Sequence, residues 1–232
     1  MIGAGSAIRL SLEAALVSTL LSLPIAVALG YLLARVEFRG KVIVSAAVMG
    51  PLVLPPVVTG LLLLRLFGRQ SPLGHALAAL GLPIPFSLAG VVVAALVVGL
   101  PLFVAGARSA FESIDPRYEE VSLTLGVPRW QTFLRVTLPL ALPGLGAGAV
   151  LAFARAVGEF GATVVLAGSM EGETRTIALA VYALLDLPDG DGALTTLVVA
   201  SLLLSLGAVA GYEALGRWHR RRLDLSRVGD ER

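Results

Sequence analysis

Cysteine is absent from the 232-residue chain, which excludes disulfides and thiolate metal sites. Lysine is nearly absent, with Lys41 alone beside many arginines. Charge is scarce: Asp, Glu, Lys and Arg make up 15% of the residues, where a soluble domain carries about 25%. The net charge of +2 is too small to argue for a nucleic-acid partner. His75 and His219 stand alone and read as solvated loop residues, and no clustered acids accompany them. No His-Glu-x2-His or Gly-x-Ser-x-Gly pattern occurs. A phosphate-cradling Gly-x4-Gly-Lys-Ser/Thr loop is missing too: at Gly40-Lys41, Arg35 replaces the first glycine and Val42 the hydroxyl. The chain is therefore expected to catalyse nothing itself and to hold no metal or cofactor.

What the chain has in abundance is apolar sequence, 56% of residues, with a mean hydropathy of +0.87. Five windows are long enough for a bilayer core, which needs about 20 apolar residues: 14–33, 42–64, 88–107, 138–167 and 193–212. The expectation is an all-α integral membrane protein, one domain over 1–232, with spans at about 10–34, 42–66, 88–108, 138–167 and 193–215. The first window follows Arg9 and looks like a signal sequence, but it is long for a signal core and four spans follow. It is expected to be a retained helix. Arginine placement sets the orientation. Arg35, Arg39 and Lys41, then Arg108, Arg117, Arg129 and Arg135, then Arg217 and Arg220 to Arg222, occupy alternate loops. Those loops are expected to face the cytoplasm, with the N-terminus outside. The acids Glu171, Glu173, Asp186, Asp189 and Asp191 fall on the opposite side, where 176–187 reads as a short amphipathic helix. Residues 223–232 are polar and read as a frayed tail.

Between spans three and four lies a polar stretch, 112–137, that lipid cannot hold. Asp115-Pro116 is a helix start, an aspartate cap followed by proline at the first helical position. Glu119 and Glu120 follow in the first turns, where the helix dipole favours acids. Tyr118, Val121 and Leu125 share one face. Gly126 ends the helix and Pro128 starts another, on which Trp130, Phe133 and Leu134 make a second apolar face. Pro139 leads back into the membrane. Short neighbouring loops offer nothing to cover this surface, so a partner protein is expected to grip it.

The pattern formed by Glu120, Gly126, Val136, Leu138 and Pro139 resembles the EAA loop of ABC importer permeases. Val121 and Ser122 stand where the family has alanines. The stretches PLVLPPVV (51–58), FARAVGEFGAT (153–163) and GETRTI (172–177), with Tyr182, resemble the molybdate-type branch. The likeness runs over about residues 10–212 and implies the type I ABC importer permease fold. It implies that Glu119, Glu120, Val121, Leu125, Gly126, Trp130 and Pro139 seat a cytoplasmic coupling helix on a separate ATPase. It further implies a homodimer with two ATPase subunits and a periplasmic or extracellular oxyanion-binding protein, importing molybdate by ATP-driven alternating access in the cell membrane. Tungstate or sulfate permeases of the same fold, and a stand-alone secondary transporter, are the alternatives.

Within the spans, Arg155 and Glu159 are costly in lipid and must pair. Four residues apart, they share a helix face. They either pin the helix or line the translocation path. Pro51, Pro55 and Pro56 should kink or split span two, and broken helices often mark a transport pathway. Gly158 and Gly161, just before Thr163, soften span four in the same way, so an outer gate is expected near these two places. Gly144, Gly148, Ala152 and Ala156 form a stripe suited to close packing within one subunit.

Overall fold

The computed structural model describes residues 3–185 and 191–228, the side chains of Asp191 and of residues 218–228 excepted. Every regular element among the described residues is helical. The helices are α1 (Ala4–Arg35), α2 (Lys41–Val53), α3 (Pro56–Phe67), α4 (Pro72–Ala79), α5 (Leu88–Glu112), α6 (Arg117–Thr124) and α7 (Arg129–Thr132). A π-helical turn, Phe133–Thr137, joins α7 to α8 (Leu138–Val157), followed by α9 (Gly161–Leu166), α10 (Ile177–Leu184) and α11 (Asp191–Val228). Among the described residues, four stretches are long and apolar enough to cross a membrane: α1, α5, 129–157 and 192–217. The α2–α3 pair makes a fifth if taken as one broken span.

Close backbone approach builds the core. The buried stripe of α1 is Ser11, Ala14, Ala15, Ser18, Ser22, Ala26 and Gly30. The hydroxyls of Ser18 and Ser22 donate to the carbonyls of Ala15 and Thr19 within the helix. The stripe is thus small and internally satisfied, as apolar surroundings require. It packs on α5, where a Cβ at Gly30 would lie 2.6 Å from the Cβ of Ala107. On an adjacent face of α5, a Cβ at Gly106 would meet the Gly148 Cα at 2.8 Å, and the carbonyl oxygen of Ala152 lies 3.2 Å from a Cβ at Gly99. The small-residue stripe of α8 thus packs inside the subunit. A Gly106→Val substitution must push α8 off α5, at a cost of about 1–3 kcal/mol for overpacking. The expected result is a lower melting temperature and less chain in the membrane fraction.

Two ends of the bundle carry different loops. At one, Tyr31, Phe111 and Phe133 form an aromatic cluster with ring centroids 5.0 to 6.2 Å apart, under the 112–137 loop. At the other, Glu171 accepts the Gly3 N–H at 2.9 Å, and the Ser11 hydroxyl accepts the Ile177 N–H at 2.8 Å. That second bond docks the start of α10 onto α1, and Ile177, Leu179, Ala180 and Leu184 are buried.

The breaks expected in spans two and four are present: the 42–66 window is two helices meeting at 113°, and the 138–167 window is α8 and a separate α9. Two other expectations need correction. His75 lies on α4, though exposed. The 223–232 tail is helical to Val228, and residues 229–232 lie outside the described residues, as do Asp186, Leu187 and Asp189.

Candidate functional site

The 115–139 loop is a helix–turn–helix whose sharp turn depends on one residue. Asp115 Oδ1 accepts the Arg117 N–H at 2.9 Å and Pro116 has helical dihedrals, the geometry of an aspartate cap followed by proline in the first turn. At the far end, Gly126 takes φ +81°, the left-handed region where glycine is favoured. Its N–H donates to the Leu123 carbonyl and the Val127 N–H to that of Ser122. These are the two closing bonds of a Schellman cap.

The faces of α6 follow from its periodicity. Ser122 is buried, and its hydroxyl bonds that of Thr132 at 2.9 Å across the hairpin. The serine in place of alanine has therefore found a partner. Val121, Leu125 and Trp130 face outward, 58%, 78% and 63% exposed, with Tyr118, Leu123 and Leu134 beside them. So much contiguous apolar surface on a polar loop is a docking face in form. Phe133 is the exception to the expected outer face: it turns inward onto Tyr31 and Phe111. Glu120 is exposed, whereas its neighbour Glu119 points at the bundle. There it accepts the Thr137 hydroxyl at 2.9 Å and lies 3.5 Å from Arg35 Nε. Pro139 is exposed in the first turn of α8. Its missing N–H removes one helical bond, and the π turn ends just before it.

The second cluster is where two broken helices meet. Leu54 and Pro55 are extended, as the residue before a proline must be, and α3 restarts at Pro56. Gly158 ends α8, and α9 restarts at Gly161. The two restarts touch: a Cβ at Gly161 would lie 2.7 Å from Pro56 Cβ, and one at Gly60 would lie 2.8 Å from the Cα and carbonyl oxygen of Ala162. Pro55, Pro56, Gly158 and Gly161 therefore belong to one place.

Glu159 sits in that break, only 2% exposed, and both of its oxygens are engaged. Oε2 pairs with Arg155 Nη1 at 2.7 Å, and Oε1 accepts the Ala162 N–H at 2.7 Å, capping α9. Thr163 is buried with no hydrogen-bond partner for its hydroxyl, and so is Thr59 on α3.

Sequence reasoning missed Arg35 as anything beyond a loop charge, and missed Thr59. Arg35 finds its partner 84 positions along the chain, so no local pattern reveals it. For Glu119 a signal did exist: it lies three residues before Ser122, on the same helix face.

The sequence model described as "Binding-protein-dependent transport system inner membrane component" matches residues 26–221. The molybdenum transport system permease protein ModB of Haemophilus influenzae is 42% identical over 226 residues, covering 97% of this chain and 99% of that protein. ModB of Escherichia coli K12 is 42% identical over 217 residues, 93% and 95% of the two chains. ModB of Mycobacterium bovis is 44% identical over 210 residues, 88% and 78%. Among solved structures, the MetNI methionine ABC transporter in inward-facing conformations superposes with a TM-score of 0.68 at 19% identity, covering 93% and 94%. A bacterial ABC transporter that imports alginate gives 0.66 at 20%, covering 93% and 78%. At such identities the structures speak for the fold.

Proposed function

Since the chain belongs to the family of inner membrane components of binding-protein-dependent transport systems, we propose that it is the permease subunit of an ABC importer for molybdate. The observation that carries this reading is the near-full-length likeness to several molybdenum permeases. The loop supports it. A lone carrier has no use for a helical hairpin with Val121, Leu125 and Trp130 turned to water. An ATPase subunit does, and the chain's want of a phosphate loop makes that ATPase a separate polypeptide.

The assembly is a homodimer with two ATPases on the basic, cytoplasmic end and an oxyanion-binding protein on the other, with the N-terminus outside. The exposed apolar faces of α2, α3 and α11 leave surface for lipid and for a second copy. ATP binding draws the ATPases together, and each carries its coupling hairpin (Glu119, Glu120, Val121, Leu125, Gly126, Trp130, with Pro139 at its base) inward. The outer gate is the α3–α9 contact, since two short helices joined through a proline break and a glycine break can turn together without unwinding a long span. Arg155, Glu159 and Thr163 flank it.

The test is reconstitution of the dimer with its ATPase and binding protein in liposomes. Molybdate should enter only with ATP and loaded binding protein. Uptake by this chain alone, with no ATPase present, would sink the reading. Calorimetry of the binding protein with molybdate, tungstate and sulfate decides the cargo, because the selective contacts lie on that chain.

A further inference from the structure

We propose that Arg35 and Glu119 form a latch through which α1 follows the coupling hairpin. The proposal rests on the importer reading above and names positioning residues within it. Arg35 is the last residue of α1, and its side chain is 15% exposed. Its Nη2 donates to the Ile114 carbonyl at 2.8 Å, just past the end of α5. Its Nε faces Glu119 Oε1, and that same oxygen accepts a hydrogen bond from the hydroxyl of Thr137, a fully buried side chain at the entry to α8. One carboxylate on α6 thus touches both α1 and the root of α8. The hairpin is joined covalently to α5 and α8, and this pair gives it a polar link to α1.

The link is not fully closed. Arg35 Nε is buried and makes no hydrogen bond. Its 3.5 Å from Glu119 is roughly 0.7 Å longer than a charge-assisted bond. An unsatisfied buried N–H is unfavourable in this state. A small inward shift of α6 would satisfy it, and the cleft of about 480 Å³ around Tyr31, Arg35, Glu119 and Arg129 leaves room for such a shift. A contact made in one state and slack in the other is the differential interaction that coupling between sites requires.

The experiment reads molybdate imported per ATP hydrolysed, in reconstituted complexes whose assembly is first confirmed by co-purification. Glu119→Gln keeps the Thr137 acceptor but weakens the pull on Arg35. The ratio should fall about tenfold in this variant and in Arg35→Met, because uptake falls further than hydrolysis. Arg35→Lys keeps the charge and should recover much of the ratio. An unchanged ratio in Glu119→Gln and Arg35→Met would overturn the latch. So would uptake and hydrolysis falling in parallel, the mark of a merely structural role. A wild-type complex that imports no molybdate would instead overturn the importer reading, and the latch with it.

Discussion

A Gly126→Val variant should reach the membrane in normal amounts and import no molybdate. Space is not the obstacle, since a Cβ at Gly126 meets nothing within 4 Å. The obstacle is the backbone: φ is +81°, where an L-residue pays roughly 1–2 kcal/mol and a β-branched one more. Relief comes only by opening the turn, which breaks the Gly126-to-Leu123 and Val127-to-Ser122 bonds. The hairpin then no longer presents Leu125 and Trp130 as one surface. The rest of the bundle is untouched, so insertion should survive. Gly126→Asn is the control, because asparagine tolerates this conformation and should keep most of the uptake. Vesicle uptake assays beside immunoblots of the membrane fraction check both. Normal uptake by the valine variant would remove the turn from the mechanism.

The second large effect belongs to Glu159. Replacing it with alanine deprives Arg155 of its ion-pair partner and the start of α9 of its cap. Breaking a fully buried pair from one side costs about 3–5 kcal/mol, and with Arg155 27% exposed the loss here falls below that range. Glu159→Ala should therefore lower the melting temperature strongly and reduce accumulation. The double variant Arg155→Met, Glu159→Met removes both charges and should recover much of that stability. Its uptake then separates the two roles. Near-normal transport by the double variant means the pair only pins the helix. A well-folded double variant that fails to transport means the pair lines or braces the translocation path.

Features written in neighbouring residues were legible from sequence. Asp115-Pro116 and Gly126 mark the ends of α6, and Pro55-Pro56 announces a break, because caps and prolines act on the adjacent backbone. The 113° bend at that break was not legible, since its size depends on where α3 finds a surface. That surface is α9, about 100 positions later, where Gly161 lets Pro56 approach. The same reason hid the inward turn of Phe133, which follows from the rings of Tyr31 and Phe111 on two other helices. The family pattern, in turn, identified the loop and marked Glu120, while the neighbouring Glu119 makes the contacts to the bundle.

The π turn at Phe133–Thr137 gives the spacing of the loop motif a physical meaning. A π turn holds one residue more than an α-helical path would need. Deleting one residue there would regularise the helix and leave the direction of Leu125 and Trp130 nearly as it is, because the π turn absorbs its extra residue without changing the phase of what flanks it. An inserted residue has no such slack, and would rotate everything before it by about 100° relative to α8. The interval from Gly126 to Leu138-Pro139 is thus an angular setting as much as a length. Substitutions within it, and the one deletion that the π turn absorbs, should be borne far better than an inserted residue.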